Sequence, residues 1–187
     1  MKQVADSETR EILQIAEACL STPGDFVELG CYEGDTSLLL ADLIKARNSD
    51  KKLWIYDSFE GLPPKSKEDE SAAGINFQAG ALNVTKREVK LRFLRANLPV
   101  PIIKKAWFAD LTEEDLPPKI SFAFFDGDFY QSIKDSFKAV EGKMAEGSII
   151  IVHDYNNPEL PGVTKAVDEC AAGKKIVQKD TLAIIKN

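Results

Sequence analysis

Phe26-Val27-Glu28-Leu29-Gly30-Cys31-Tyr32-Glu33-Gly34-Asp35-Thr36-Ser37, followed at once by Leu38-Leu39-Leu40-Ala41-Asp42-Leu43-Ile44, decides how this chain folds. A short apolar run ends in an acid, crosses two glycines and enters a second apolar run long enough to be a buried helix. The order reads as strand, tight turn and helix. Glycines there let the backbone come close to a ligand, and the first turn of the helix offers unpaired N–H groups. A nicotinamide dinucleotide normally asks for G-x-G-x-x-G, the middle glycine making room for the pyrophosphate. Here the spacing is Gly30-x-x-x-Gly34, and Tyr32 stands where the middle glycine belongs. Two phosphates are therefore disfavoured, and Glu28 suits a ligand carrying an ammonium and a sulfonium. An ordinary strand-to-helix turn without a ligand is the alternative.

Upstream, Ile12, Ile15, Ala16 and Cys19 recur at helical spacing, so an amphipathic helix is expected over residues 8–20, ended by Ser21-Thr22-Pro23-Gly24. Downstream, Leu53-Trp54-Ile55-Tyr56 is a second apolar strand closed by Asp57. Strand, helix and strand make a βαβ unit with parallel neighbours. Asp57 stands roughly 20 residues past the glycine turn, the position from which a carboxylate reaches ribose hydroxyls; a solvated strand-end aspartate is the alternative. Residues 59–83 hold Pro63-Pro64, the charge run Lys65 to Glu70, Gly74 and Gly80, and are expected to form a lid loop over the site or a solvated surface. A helix should follow, with Val89, Phe93 and Ala96 inward.

Pro101 to Phe108 reads as a third strand, edge-like because of Lys104 and Lys105. Trp107 and Phe108, with Asp110 beside them, would hold a purine by stacking and by accepting from its amino group, or pack in the core. Ile120 to Phe125 is a fourth strand, near-continuously apolar as buried parallel strands are, and runs into Asp126-Gly127-Asp128-Phe129-Tyr130. Ile133, Phe137, Val140 and Met144 predict a helix stopped by Gly147. A fifth strand, Ser148 to Val152, ends in His153-Asp154-Tyr155; one more helix carries Val163, Val167 and Cys170, and two final strands at 175–177 and 182–185 form a hairpin.

The 187 residues suit one domain, with 44% hydrophobic and 29% charged residues. A net charge of -6 argues against a nucleic-acid partner. Cys19, Cys31 and Cys170 lie far apart without a C-x-x-C pair and read as reduced thiols, the start Met1 to Asp6 lacks a secretion signal, and no apolar run approaches the ~20 residues of a membrane helix. A cytoplasmic protein is expected.

Ligands in doubly wound sheets bind beyond the C-terminal strand ends. Glu28, Asp57, Asp110, Asp126 and Asp154 all cap such ends and should share one rim. Asp126 and Asp154 are candidates for magnesium. His153, the only histidine, stays open between metal ligand, general base and hydrogen-bonded strand-end residue.

With these residues assembled, the chain resembles the class I S-adenosylmethionine-dependent methyltransferases and, more narrowly, the macrocin O-methyltransferase family. The strings that carry the resemblance are Val27 to Gly34, Tyr56-Asp57-Ser58-Phe59-Glu60-Gly61-Leu62-Pro63, Ala106 to Asp110, Phe125 to Tyr130 and His153-Asp154-Tyr155. The resemblance implies a Rossmann-like α/β fold, a mostly parallel seven-stranded sheet with a C-terminal antiparallel hairpin, in a single domain over 1–187. It implies methyl transfer to a hydroxyl of a sugar or other small polyhydroxy or phenolic metabolite. S-adenosylmethionine would be held by Glu28, Gly30, Cys31, Tyr32, Gly34, Thr36 and Ser37 around the methionine, Asp57 and Ser58 at the ribose, and Trp107, Phe108 and Asp110 near adenine, with Asp126 adjoining. Magnesium would sit on Asp126, His153 and Asp154, which are also the expected catalytic residues; His153 replaces the first of a pair of acids there. The expected partner is the small hydroxyl acceptor, with a homodimer as a candidate assembly. A non-catalytic S-adenosylmethionine-binding module and a nicotinamide oxidoreductase are the rival readings.

Overall fold

A computed structural model describes residues 4–73 and 77–187; Gly74 of the expected loop lies outside them. The helices are α1 (Asp6–Ala18), α2 (Asp35–Ala46), α3 (Lys86–Arg95), α4 (Tyr130–Val140) and α5 (Pro161–Cys170). The strands are β1 (Asp25–Leu29), β2 (Leu53–Asp57), β3 (Ile102–Lys105), β4 (Ile120–Phe125), β5 (Met144–Val152), β6 (Ile176–Lys179) and β7 (Leu182–Lys186). They form one seven-stranded sheet in the order β3-β2-β1-β4-β5-β7-β6. Pairings from β3 through to β5 are parallel, and β7 runs antiparallel to both β5 and β6. The expected doubly wound sheet with its antiparallel hairpin is what forms.

The central strands are apolar on both faces because both faces are covered. Successive side chains point to opposite sides, so Phe122 and Phe124 join Phe26, Ile55, Ile12, Leu40 and Phe93 in one core. Ala123 and Phe125 join Val27, Leu29, Ile133 and Val163 in the other. Helices α1, α2 and α3 thus cover one face, α4 and α5 the other. Strand order reverses between β1 and β4, which places the ligand crevice of such sheets beyond Leu29 and Phe125. Among the described residues no helix is long and apolar enough to cross a membrane.

Four expectations of detail give way. Helix α4 stops at Val140, because Gly142 turns the chain in a left-handed conformation (φ 72°) and Met144 then pairs with Ile120 as the first residue of β5. Gly147 (φ 77°) is therefore a break inside β5, where the register against β4 jumps from Ile120↔Met144 to Phe122↔Ile149. The third strand ends at Lys105, so Trp107 precedes, and Phe108 and Asp110 bound, a short 3-10 turn. Ala96 caps α3 and is exposed, while Val89 and Phe93 are buried.

Candidate active site

Each strand near the switch point hands over to a strained turn. Left-handed backbone is found at Tyr32 (φ 45°), Phe59 (φ 51°), Asp128 (φ 62°) and Asp154 (φ 61°), just past β1, β2, β4 and β5. Non-glycine residues are sparse in this region, and such positions collect at sites where surroundings fix them. Gly30 (φ 89°) is forced: a Cβ there would overlap the backbone carbonyl of Asp126, because the ends of β1 and β4 converge at this point.

Asp57 organises the glycine turn. Its Oδ2 accepts the backbone N–H groups of Cys31 (2.9 Å) and Tyr32 (3.3 Å), and its Oδ1 accepts that of Phe59 (2.7 Å). Glu28 is 1% exposed and accepts a hydrogen bond from Ser37 Oγ. Burial, reinforced by the nearby carboxylates of Asp126 and Asp57, pushes its pKa up to about 8 against the hydrogen bond from Ser37. An acid whose folded pKa exceeds its unfolded value keeps its proton in the native state. Its stabilising effect is full below the ordinary value of 4.5 and is lost as pH rises toward about 8. Glu28→Gln, which cannot ionise, should escape this loss, worth about 1.4 kcal/mol per pH unit inside the window. Melting temperatures of the two proteins between pH 5 and pH 8 check it: the wild type should fall relative to the variant, and parallel curves would contradict it.

Two cavities adjoin at the rim. One, of about 320 Å³, is lined by Asp57, Ser58, Leu62, Trp107, Phe108 and Ser132 among others. The second, of about 190 Å³, is lined by Glu28, Cys31, Thr36, His153, Asp154 and Asn157 among others. Gly30, Tyr32, Leu82, Asp126 and Asp128 line both. Ser37 and Gly34 lie beneath this surface, with Gly34 packed against Val89 of α3. Asp110 is exposed and lines neither cavity; Gln131 and Asp135 of α4 line the first one instead.

The stretch after β2 forms one wall of the first cavity through Gly61 to Pro64, Ser66 and Asp69. It is tied down from beneath. Asp69, 1% exposed, accepts from the N–H of Tyr130 (2.7 Å) and from the N–H and Oγ of Ser66.

Asp126, His153 and Asp154 each place one potential ligand atom within 4.8 Å of the others. His153 Nδ1 is 3.0 Å from Asp126 Oδ1 and 3.0 Å from Asp154 Oδ2, and Asn157 donates to the other oxygen of Asp154 (2.7 Å). Nε2 lies 3.4 Å from Glu8 Oε2. Burial opposes charge on this imidazole, yet the charge of Asp126 and the hydrogen bonds that the ring donates to Asp126, Asp154 and Glu8 outweigh it, so its pKa stands well above the usual value.

Two members of this site escape a reading of the sequence. Glu8 is one of the acids in the first turn of α1. Its spacing of four residues from Ile12 is the one signal that it faces the sheet, and a helix-start acid ordinarily reads as a dipole partner. Asp128 follows Asp126 by two residues, with nothing local to separate it from a solvated loop acid. Its carboxylate stands between the cavities, none of the described residues donates a hydrogen bond to it, and burial beside Asp126 and Asp154 raises its pKa.

The sequence model of the macrocin O-methyltransferase family matches residues 9–185. Demethyldecarbamoylnovobiocin O-methyltransferase of Streptomyces niveus is 27% identical over 158 residues, 81% of this chain and 60% of that protein. Mycinamicin III 3''-O-methyltransferase of Micromonospora griseorubida is 26% identical over 155 residues, 79% of this chain and 60% of that one. The chain thus spans about 60% of the length of these curated relatives. The solved structure of the O-methyltransferase NovP superposes with a TM-score of 0.86 at 24% identity, covering 100% of this chain and 81% of that one. Calicheamicin methyltransferase CalS11 does so with a TM-score of 0.77 at 17% identity, covering 97% and 80%. These likenesses establish the class I methyltransferase fold.

Proposed function

The chain belongs to the macrocin O-methyltransferase family, and from that membership we propose that it moves the methyl group of S-adenosylmethionine to a hydroxyl of a sugar or other small polyhydroxy or phenolic metabolite. The observation that carries the reading is the junction of the two cavities over Gly30, Tyr32, Asp126 and Asp128. The adenosine of the donor would lie in the first and its methionine part would reach through the junction to Glu28, Cys31 and Thr36 in the second, where the acceptor would meet it. Trp107 and Phe108 offer aromatic surface for adenine, and Asp57 reaches the ribose. The carboxylates of Asp57 and Asp126 suit a sulfonium cation and oppose a ligand bearing two phosphates.

In the reaction the acceptor oxygen attacks the methyl carbon as the S–CH3 bond breaks, so S-adenosylhomocysteine departs neutral and the hydroxyl proton must go to a base. Asp128 stands at the junction with no described donor engaging its carboxyl; the sulfonium beside it would favour the ionised form against burial and the neighbouring acids, and a carboxylate whose pKa is raised is then a stronger base for that proton. Holding donor and acceptor in line is the main task of the walls, an effect worth up to ~7 to 11 kcal/mol when alignment is good. A divalent cation on Asp126, His153 and Asp154 would supply Lewis acidity toward the acceptor hydroxyl.

Calorimetry with S-adenosylhomocysteine, then transfer of labelled methyl to a panel of sugar and phenol acceptors, tests this. Binding should fall between about 1 µM and 1 mM, the usual span of KM values. Asp57→Ala should weaken it at least ~10-fold, since the turn loses its backbone anchor as well as a ribose acceptor. Absence of S-adenosylhomocysteine binding, or tighter binding of NADH, would sink the proposal.

A further inference from the structure

We propose that Glu8 fixes His153 so that the Asp126–His153–Asp154 cluster takes a divalent transition metal of the zinc or iron kind rather than the magnesium implied by the sequence resemblance. The inference rests on reading this cluster as the metal-bearing side of the methyl-transfer site. The donor set is one imidazole nitrogen and two carboxylate oxygens, mutually within 4.8 Å. Magnesium prefers oxygen donors and keeps waters, whereas imidazole suits zinc, iron, nickel and copper.

The orientation of the ring is settled from its far side. A metal-bound histidine ordinarily gives its other ring N–H to a carboxylate, which fixes tautomer and direction and makes the ligating nitrogen more basic. Glu8 Oε2 occupies that position, 3.4 Å from Nε2, leaving Nδ1 turned to Asp126 and Asp154. Glu8 itself cannot swing away. It is 5% exposed, its Oε1 accepts from the N–H (3.1 Å) and Oγ1 (2.5 Å) of Thr181, and its Oε2 also accepts from the N–H of Ala5 (3.1 Å). Metal binding at Nδ1 displaces the proton carried there to solvent and leaves Nε2–H on Glu8. Glu8 touches neither donor nor acceptor in this scheme; it is a positioning residue.

Because the chain has a single histidine, its ring nitrogens can be followed without ambiguity. In ¹⁵N-histidine NMR of the full chain, one equivalent of Zn²⁺ should shift Nδ1 to the position of a metal-bound nitrogen while Nε2 keeps its proton; Mg²⁺ at the same concentration should leave both unmoved. Unchanged resonances with Zn²⁺ would show the imidazolium to be a fixed counter-ion of its carboxylates and overturn the proposal, as would ligation through Nε2 or an equal response to Mg²⁺. Glu8→Gln should lower Zn²⁺ affinity about 10- to 100-fold, the usual cost of losing an outer-shell partner. Thr181→Val, which frees one side of Glu8, should shift it in the same direction by less. Calorimetry with S-adenosylhomocysteine reports folding and cofactor binding separately for both variants, so a failed metal site and a failed methyltransferase reading give different results. Zn²⁺ affinity unchanged in both variants would remove Glu8 from the role.

Discussion

Asp128→Asn is expected to lower kcat by about 10²- to 10⁴-fold, the range over which a positioned general base contributes, while S-adenosylhomocysteine affinity stays within about 2-fold. The substitution keeps the size of the side chain, and asparagine tolerates left-handed backbone as aspartate does, so φ 62° adds no new strain. None of the described residues donates to the carboxylate, so no internal hydrogen bond is broken. What changes is the capacity to take the acceptor's proton. Single-turnover transfer on any acceptor that the panel identifies, beside calorimetry of the same preparation, separates the two quantities. A kcat within 10-fold of wild type would hand the proton to another group, and weakened cofactor binding would make Asp128 part of the donor cavity alone.

The second large effect is steric. Gly30→Ala should cost at least ~3 kcal/mol and abolish measurable S-adenosylhomocysteine binding, for two reasons that add. A side chain at φ 89° is strained wherever it is, and here its Cβ would overlap the Asp126 carbonyl, which is backbone and has no rotamer to retreat into. Relief requires β1 and β4 to part at their C-terminal ends, where the N–H of Asp126 is bound to the carbonyl of Leu29 (2.9 Å) and both cavities have their common wall. For a chain of this size the loss corresponds to roughly 6 to 12 °C in melting temperature. Gly80→Ala is the control, since nothing lies within 4 Å of a Cβ there although φ is 80°. A Gly30→Ala protein that melts with the Gly80→Ala protein would dismiss the close approach as the cause.

How far the sequence alone reached follows from the range of the interactions involved. The β1–turn–α2 unit and β4 with its aspartates are written in contiguous residues, so period and composition reveal them. Met144 shows the limit of period: its spacing from Val140 is helical, but a left-handed Gly142 intervenes and strand pairing with Ile120 prevails. Trp107 and Phe108 extend an apolar run past Lys105 without extending the strand, because the partner strand β2 ends at Asp57, opposite Lys105, and the chain then enters a 3-10 turn at Phe108. Asp110 caps the same run in sequence, yet the 3-10 turn from Phe108 leaves it exposed. Glu8 is the clearest case of what could not be foreseen. Its partner His153 is 145 residues away, and beyond the spacing to Ile12 no local pattern distinguishes a buried acid in a first helical turn from the exposed acids usually found there.

That distance has a consequence for biogenesis. Glu8 is clamped by Thr181 in the turn between the last two strands, 173 residues further on. On the ribosome α1 is made well before the groups that hold its buried carboxylate, which follow 173 residues later. Until the β6–β7 hairpin pairs beside β5, the nascent chain carries Glu8 without its Thr181 donors and β5 with an open edge, a state inviting chaperone capture that ends when β7 docks.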